Sequence, residues 1–257
     1  MILRLLSLII AAAISAATAN FAQAEPTALT VRVLSKDAKW IGSSMGGAQI
    51  IVRDAHSGAI LAQGLTKGDT GNTKRMMQEP QDRRVPMSDD KSAKFETTLD
   101  LDTPRLIEVE AFGPMGQMQA AHKVTSTQWV VPGRGITGGD GWVLELPGFV
   151  VDVLDPPAHV KLTGVKSVGI TANVTMMCGC PIEPKGLWDA DKYEVKAIVT
   201  HDGKVTGEVD LKYAGKTSQF AGVIPVDGAG VYDVTVYAYD YANGNTGVDR
   251  TTFMAAN

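Results

Sequence analysis

The chain has 257 residues, with 24 Lys and Arg against 28 Asp and Glu, a formal net charge of −4 and two cysteines. Such mild acidity excludes a basic field for nucleic acid or anionic lipid, and two cysteines are too few for a disulfide-dense mini-domain, so stability must come from ordinary apolar cores. Aromatic residues make up 6% of the chain while Gly, Thr, Val and Asp are plentiful, a composition of short strands joined by turns.

Residues 1–24 read as a cleaved export signal. Arg4 supplies a positive start, Leu5 to Ala17 an apolar stretch, and Ala22-Gln23-Ala24 the small-x-small pattern before a cut at Glu25. The apolar run is short for a retained anchor, no Cys follows the cut to carry a lipid, and no later segment is apolar enough to span a bilayer. The expected protein is periplasmic or secreted, without membrane insertion. The remaining length suits one or two domains of about 100–150 residues each.

From residue 25 to 153 the alternation of apolar and polar residues predicts a first β-sandwich. Its strands are Leu29 to Val33, Gln49 to Arg53 and Ala59 to Leu65 around the Asp54–Gly58 turn, then Lys94 to Leu101 and Leu106 to Phe112. Gln128 to Val131, Trp142 to Leu146 and Phe149 to Val153 complete it. Residues 73–92 carry mixed charge, two prolines and no periodicity, and are expected to be a mobile polar loop. Leu154-Asp155-Pro156-Pro157 is expected to be a stiff linker, because prolines are kept out of ladder interiors.

Residues 158–257 predict a second sandwich. Val160 to Val165 is followed by a strand in which Val168, Ile170, Ala172, Val174 and Met176 alternate with small or polar residues. Tyr193 to Val199, Val209 to Tyr213, Phe220 to Val226, Val231 to Tyr239 and Thr246 to Met254 follow. Seven strands in about a hundred residues suit an immunoglobulin-like sandwich. The expected fold class is therefore all-β, two tandem sandwiches.

Three segments carry family resemblances. Gly228-Ala229-Gly230-Val231-Tyr232-Asp233-Val234 resembles the tyrosine corner entering the sixth strand of an immunoglobulin-like or fibronectin-like module, with Val234 where the second inter-sheet cysteine would stand. Asp240 to Gly247 resembles the terminal hairpin of bacterial immunoglobulin-like domains. Gly47 to Asp54, with Gly58 and Gly64, is similar to the transthyretin-like regulatory module of carboxypeptidases. These resemblances imply folds with a binding or spacing role, and they bring no catalytic residue.

Chemistry concentrates in Met176-Met177-Cys178-Gly179-Cys180. Three readings stand open: a small disulfide loop pinning a turn, a soft-metal site for Cu(I) with Met176, Met177 or His159 helping the two thiolates, and thiol–disulfide exchange. In a strand Met176 and Met177 face opposite ways, so one is expected in the core and the other at the site. Immunoglobulin-like strand order places the pair at the pole facing the linker, nearer His159 than His201. Trp188 and Asp189, in the long loop that follows, and Asn243 and Asn245, in the terminal hairpin, are expected to form a binding surface at that pole.

Other matches fail on context. Gly42-Ser43-Ser44-Met45-Gly46 fits the nucleophile-elbow pattern but precedes a strand rather than a helix, and Gly133 to Gly138 fits G-x-G-x-x-G without a helix to hold a phosphate. His56 and His122 read as solvated surface histidines, and Met76, Met77, Met87, Met115 and Met118 as ordinary turn methionines. The sequence thus leads to an exported, non-enzymatic accessory protein whose partner is another extracytoplasmic protein or a small ligand. A copper(I) carrier and a thiol oxidoreductase are the alternatives; no cofactor is required, Cu(I) is the one the sulfur ligands favour, and Zn is also compatible with two thiolates.

Overall fold

The computed structural model describes residues 23–257, so all but the last two residues of the expected export signal lie outside the described residues. The first sandwich packs the sheet β4-β1-β7 against the sheet β3-β2-β5-β6. Its strands are β1 (Glu25–Ser35), β2 (Gln49–Asp54), β3 (Ile60–Leu65), β4 (Phe95–Leu101), β5 (Arg105–Gly113), β6 (His122–Val130) and β7 (Trp142–Leu146). β1 and β7 run parallel and the other pairs are antiparallel.

β1 is buried on both faces, which simple alternation does not lead one to expect. Leu29, Val31 and Val33 point into the core, while Thr30 and Arg32 on the other face are buried as well. The cover over that second face is part of the segment read as a mobile loop. The Arg32 guanidinium donates to the carbonyls of Ser92 (2.6 Å) and Ala93 (2.9 Å) and lies 5.8 Å from the centre of the Trp40 ring. Lys74–Gln78 winds into a short helical turn that buries Met76 beside Trp40 and Ala93. The Asp140 carboxylate accepts from the backbone of Met87 and Ser88 at 3.0 and 2.8 Å. The two ends of residues 73–92 are therefore a packed cover, while residues 78–85 between them are exposed: the segment lacks periodicity because it lies across a sheet face rather than joining one.

The second sandwich packs β13-β14-β10-β8 against β12-β11-β15-β16-β9. These are β8 (Phe149–Asp155), β9 (Val160–Thr163), β10 (Ser167–Met176), β11 (Tyr193–His201), β12 (Lys204–Asp210), β13 (Lys212–Tyr213), β14 (Gln219–Pro225), β15 (Gly230–Asp240) and β16 (Thr246–Ala256). The five apolar residues of β10 picked out by alternation are all buried. Sheet order and register match an immunoglobulin-like sandwich with an extra edge strand.

β8 corrects the expected boundary at 154–157. It pairs with β10, from Met176↔Phe149 to Thr171↔Asp155, and so belongs to the second sandwich. At Pro156-Pro157 the chain crosses to the opposite sheet, where β9 runs parallel to β16. Prolines suit the crossing because they have no N–H to offer either ladder. The junction between the domains is Pro147-Gly148, between the ends of β7 and β8.

The tyrosine corner is formed. The Tyr232 hydroxyl donates to the Gly228 carbonyl and accepts from the Asp227 amide, each at 3.2 Å. Its ring stacks between His201 (4.3 Å) and Phe253 (4.8 Å), and Val234 is fully buried. Tyr232→Phe keeps the stack and loses both hydrogen bonds, so it should destabilise by about 0.5–1.5 kcal/mol. Urea unfolding should show this as a lower midpoint at an unchanged slope.

Candidate functional site: an interdomain cleft at the cysteine turn

β10 ends in a tight turn in which the Gly179 amide donates to the Met176 carbonyl (2.8 Å) and the Met176 amide to the Cys180 carbonyl (3.2 Å). Gly179 takes a φ of 76°, a conformation that side chains with a Cβ rarely adopt. Cys178 and Cys180 are joined as a disulfide across it, and they are 1% and 4% exposed.

The methionines before the turn go separate ways, as strand geometry requires. Met176 is buried in the second sandwich, whereas the Met177 side chain is fully buried in the core of the first. Met177 therefore pins one domain into the other and is not positioned as a metal ligand. Sequence alternation puts the two on opposite faces but does not reveal that the second face is the neighbouring domain.

The expected binding surface also faces inward. The Trp188 indole donates to the Asp37 carbonyl at 2.9 Å. Asn245 accepts from the Gly148 amide (3.0 Å) and donates to the Lys36 carbonyl (3.2 Å). The Lys36 ammonium reaches the Asn243 carbonyl at 2.7 Å, and the Asn243 amide the Asp37 carboxylate at 3.4 Å. Asp189 accepts from the amides of Lys185 (2.8 Å) and Asp191 (3.2 Å), which holds its carboxyl below the usual range and orders the loop. Three of the four residues thus clamp the turn after β1, and Asp189 shapes their support.

His159 is not with them. Its amide donates to the Thr252 carbonyl at 2.8 Å and its ring meets the Thr252 hydroxyl at 3.1 Å. Thr252 is six residues along β16 from the junction end at Thr246, about 20 Å at a strand's rise of about 3.3 Å per residue. In register it is one position from the level of Phe253, Tyr232 and His201. Its position follows from where the domain boundary falls. Since β8 has already carried the chain along the sandwich, the residue after Pro157 lies well away from the cysteines.

The clamp leaves a cleft of about 450 Å³ between the domains, with Cys178, Gly179, Cys180 and Trp188 on one wall and Lys39 and Thr73 on the other. Two further residues approach the turn. The Met45 thioether lies against Gly179, where a Cβ on the glycine would come within 2.5 Å of its sulfur. Met77 packs between the Trp40 cluster and the core containing the cysteines. The sequence gives no local signal for Met45 or Lys39, because strand pairing in the first domain brings them there. Burial holds the Lys39 ammonium below the usual lysine range, and it donates to the Thr73 hydroxyl at 2.9 Å. A second depression, of about 520 Å³ along β11, is lined by Tyr193, Glu194, Lys196 and Tyr241. There the Tyr241 and Tyr237 hydroxyls donate to Glu194 and hold it below the usual range, so its polar groups already serve one another.

At the clamp, burial and then the charge of Asp240 push the Asp37 carboxyl above the usual carboxylate range. A folded value above the unfolded one means that stability falls as pH rises from about 3.9 through the folded value, and the penalty is constant above both. Asp37→Asn should therefore stabilise the protein at pH 7, and the gain should vanish below about pH 4. Asn also accepts the left-handed backbone at this position, φ 58°. Because Asp37 is exposed overall, the gain should be about 0.2–0.5 kcal/mol, read from thermal melts across that pH range.

No family model and no curated protein matches the chain. Among solved structures it is similar to an engineered protein, at 20% identity over 50% of this chain and 24% of that one, with a TM-score of 0.30. It is also similar to the fibronectin(III)-like modules of CbhA from Clostridium thermocellum, at 14% identity over 82% and 78% with a TM-score of 0.30. A DUF3823 family protein from Bacteroides uniformis matches at 12% identity over 91% and 99% with a TM-score of 0.27. The chain thus spans about a quarter of the engineered protein. The protein is all-β, two β-sandwiches in tandem, and the strand order and tyrosine corner of the second are immunoglobulin-like. Among the described residues no helix is long and apolar enough to cross a membrane.

Proposed function

We propose that this is an exported, non-enzymatic binding or accessory protein that takes a ligand, or a short segment of an extracytoplasmic partner, into the cleft between its domains. The observation that carries this reading is the composition of the cleft walls. Both domains contribute, and the chain's disulfide sits in one wall beside an aromatic ring, with a lysine opposite. A concave site at a domain interface, with a few polar groups set among apolar ones, is the usual form of a ligand pocket. The clamp holds both walls in place, so little ordering is left for binding to supply. The first sandwich is read as transthyretin-like, supported by its seven strands and by the Gly47–Asp54 segment, whose residues from Gln49 on form β2 between two neighbours. A thiol oxidoreductase is the weaker reading, because the cysteines follow a strand and lack the helix N-terminus that lowers a thiol pKa.

Native mass spectrometry of the protein isolated from its own export compartment tests the reading. Wild type should retain a bound species, and Ser44→Trp, which fills the cleft from an exposed position on its wall, should release it. A bound species retained equally by Ser44→Trp, or bare wild-type protein, would contradict the cleft as the binding site.

A further inference from the structure

We propose that the cleft, once its disulfide is reduced, holds one Cu(I) between the Cys178 and Cys180 thiolates and the Met45 thioether, and that re-forming the disulfide expels the metal. The proposal rests on the cleft being a binding site and specifies what it binds and how binding is controlled.

Two sulfurs stand in the cleft wall, and a third, from the first domain, lies beside the glycine between them. Cys178 and Cys180 flank Gly179, and the Met45 sulfur is packed against that same glycine from the first domain. The side-chain hydrogen of Gly179 is what makes the approach possible, since a methyl group would collide with the thioether. An all-sulfur set of thiolates and a thioether selects Cu(I) among the common metals. Structural Zn(II) sites use four ligands from Cys, His or carboxylates, and among the described residues no three His, Cys, Asp or Glu side chains are grouped to hold a metal. Two thiolates on Cu(I) leave one net negative charge, and Lys39, hydrogen-bonded to Thr73, lines the same cleft. The cysteines are almost wholly buried, which keeps bulk water from a bound cuprous ion.

The chemistry balances. A dithiol reductant gives two electrons and two protons to the Cys178–Cys180 bond, yielding two protein thiols and the reductant's own disulfide. Cu(I) then replaces the two thiol protons, forming two Cu–S bonds, and the thioether adds a third. In the reverse direction an oxidant disulfide takes two electrons from the thiolates, its own S–S bond breaks to give two thiolates, the protein S–S bond re-forms, and copper leaves still as Cu(I). The turn thereby couples metal release to the redox state of its surroundings.

The test uses the full mature chain, reduced with dithiothreitol, desalted without oxygen, and titrated against Cu(I)–bicinchoninate with the chelator's colour as readout. Reduced wild type should withdraw one equivalent of copper, and the oxidised protein none. Since even outer-sphere partners are worth about 10-fold in metal affinity, Met45→Leu should weaken binding by at least that much while leaving the urea midpoint close to wild type. Cys178→Ser/Cys180→Ser should abolish uptake, with its own unfolding curve recorded to show that it is folded. Copper left on the chelator, equal uptake by oxidised protein, a Met45→Leu affinity equal to wild type, or Zn(II) taken in preference would each overturn the proposal. A retained organic species that Ser44→Trp releases, found together with failed copper uptake, would overturn this inference alone and leave the cleft as a binding site.

Discussion

Met177→Ala is expected to destabilise the protein by about 2–5 kcal/mol, the range for truncating a buried methionine, and to do so in the domain that does not contain the residue. Met177 belongs by sequence to the end of β10 in the second sandwich, but its side chain is fully buried in the first. Alanine leaves a cavity among the first domain's core residues and removes the peg that couples the two modules. Chemical denaturation followed by tryptophan fluorescence can separate these effects, because Trp40, Trp129 and Trp142 report on the first domain and Trp188, bonded to Asp37, on the clamp between the two. Wild type should unfold in one transition. Met177→Ala should lower the midpoint and bring out a second transition, whereas Met177→Leu, nearly equal in volume, should cost less than about 1.5 kcal/mol. A Met177→Ala protein within about 0.5 kcal/mol of wild type would show that the peg does no structural work.

The second large effect is expected at Asn245, fully buried at the clamp. Its side chain satisfies two backbone groups at once: the amide of Gly148 in the junction and the carbonyl of Lys36 in the first domain. Asn245→Ala strands both in a site with little access to water. A buried unsatisfied polar group costs about 1–3 kcal/mol, so a loss of about 2–4 kcal/mol is expected. Asn243, two residues earlier and only half-buried, makes a 3.4 Å contact with Asp37 through its side chain. Asn243→Ala should cost under about 1 kcal/mol. If both asparagines instead served an exposed binding surface, neither substitution would lower the urea midpoint, and equal, small effects would support such a surface.

What could be read from the chain and what could not divide along a physical line. The β10 alternation and the tyrosine corner are encoded within a few residues, and both appear as read. The Cys-Gly-Cys turn is also local, since a glycine between two cysteines at a strand end leaves few backbone options. Contacts between domains carry no such short-range code. Arg32 looks like an exposed strand residue until the 73–92 segment lies over it, and Met45 looks like loop filler until Gly179 is placed beside it. Pro156-Pro157 was misleading for a related reason. Proline reports only that the chain cannot donate to a ladder there, and an inter-sheet crossing meets that condition as well as a linker does. That single ambiguity displaced the domain boundary and carried His159 away from the cysteines with it.

Function at the cleft depends on access: the sulfur pair must open onto the space the two modules enclose. Alkylation of the reduced, folded protein by iodoacetamide, timed by intact mass, measures this most directly. Both thiols should react well before global unfolding, and plugging the gap with Ser44→Trp should slow them, because Ser44 lines the same cleft as Cys178 and Cys180. Thiols that react only when the whole chain unfolds, or at the same rate with and without the plug, would contradict it.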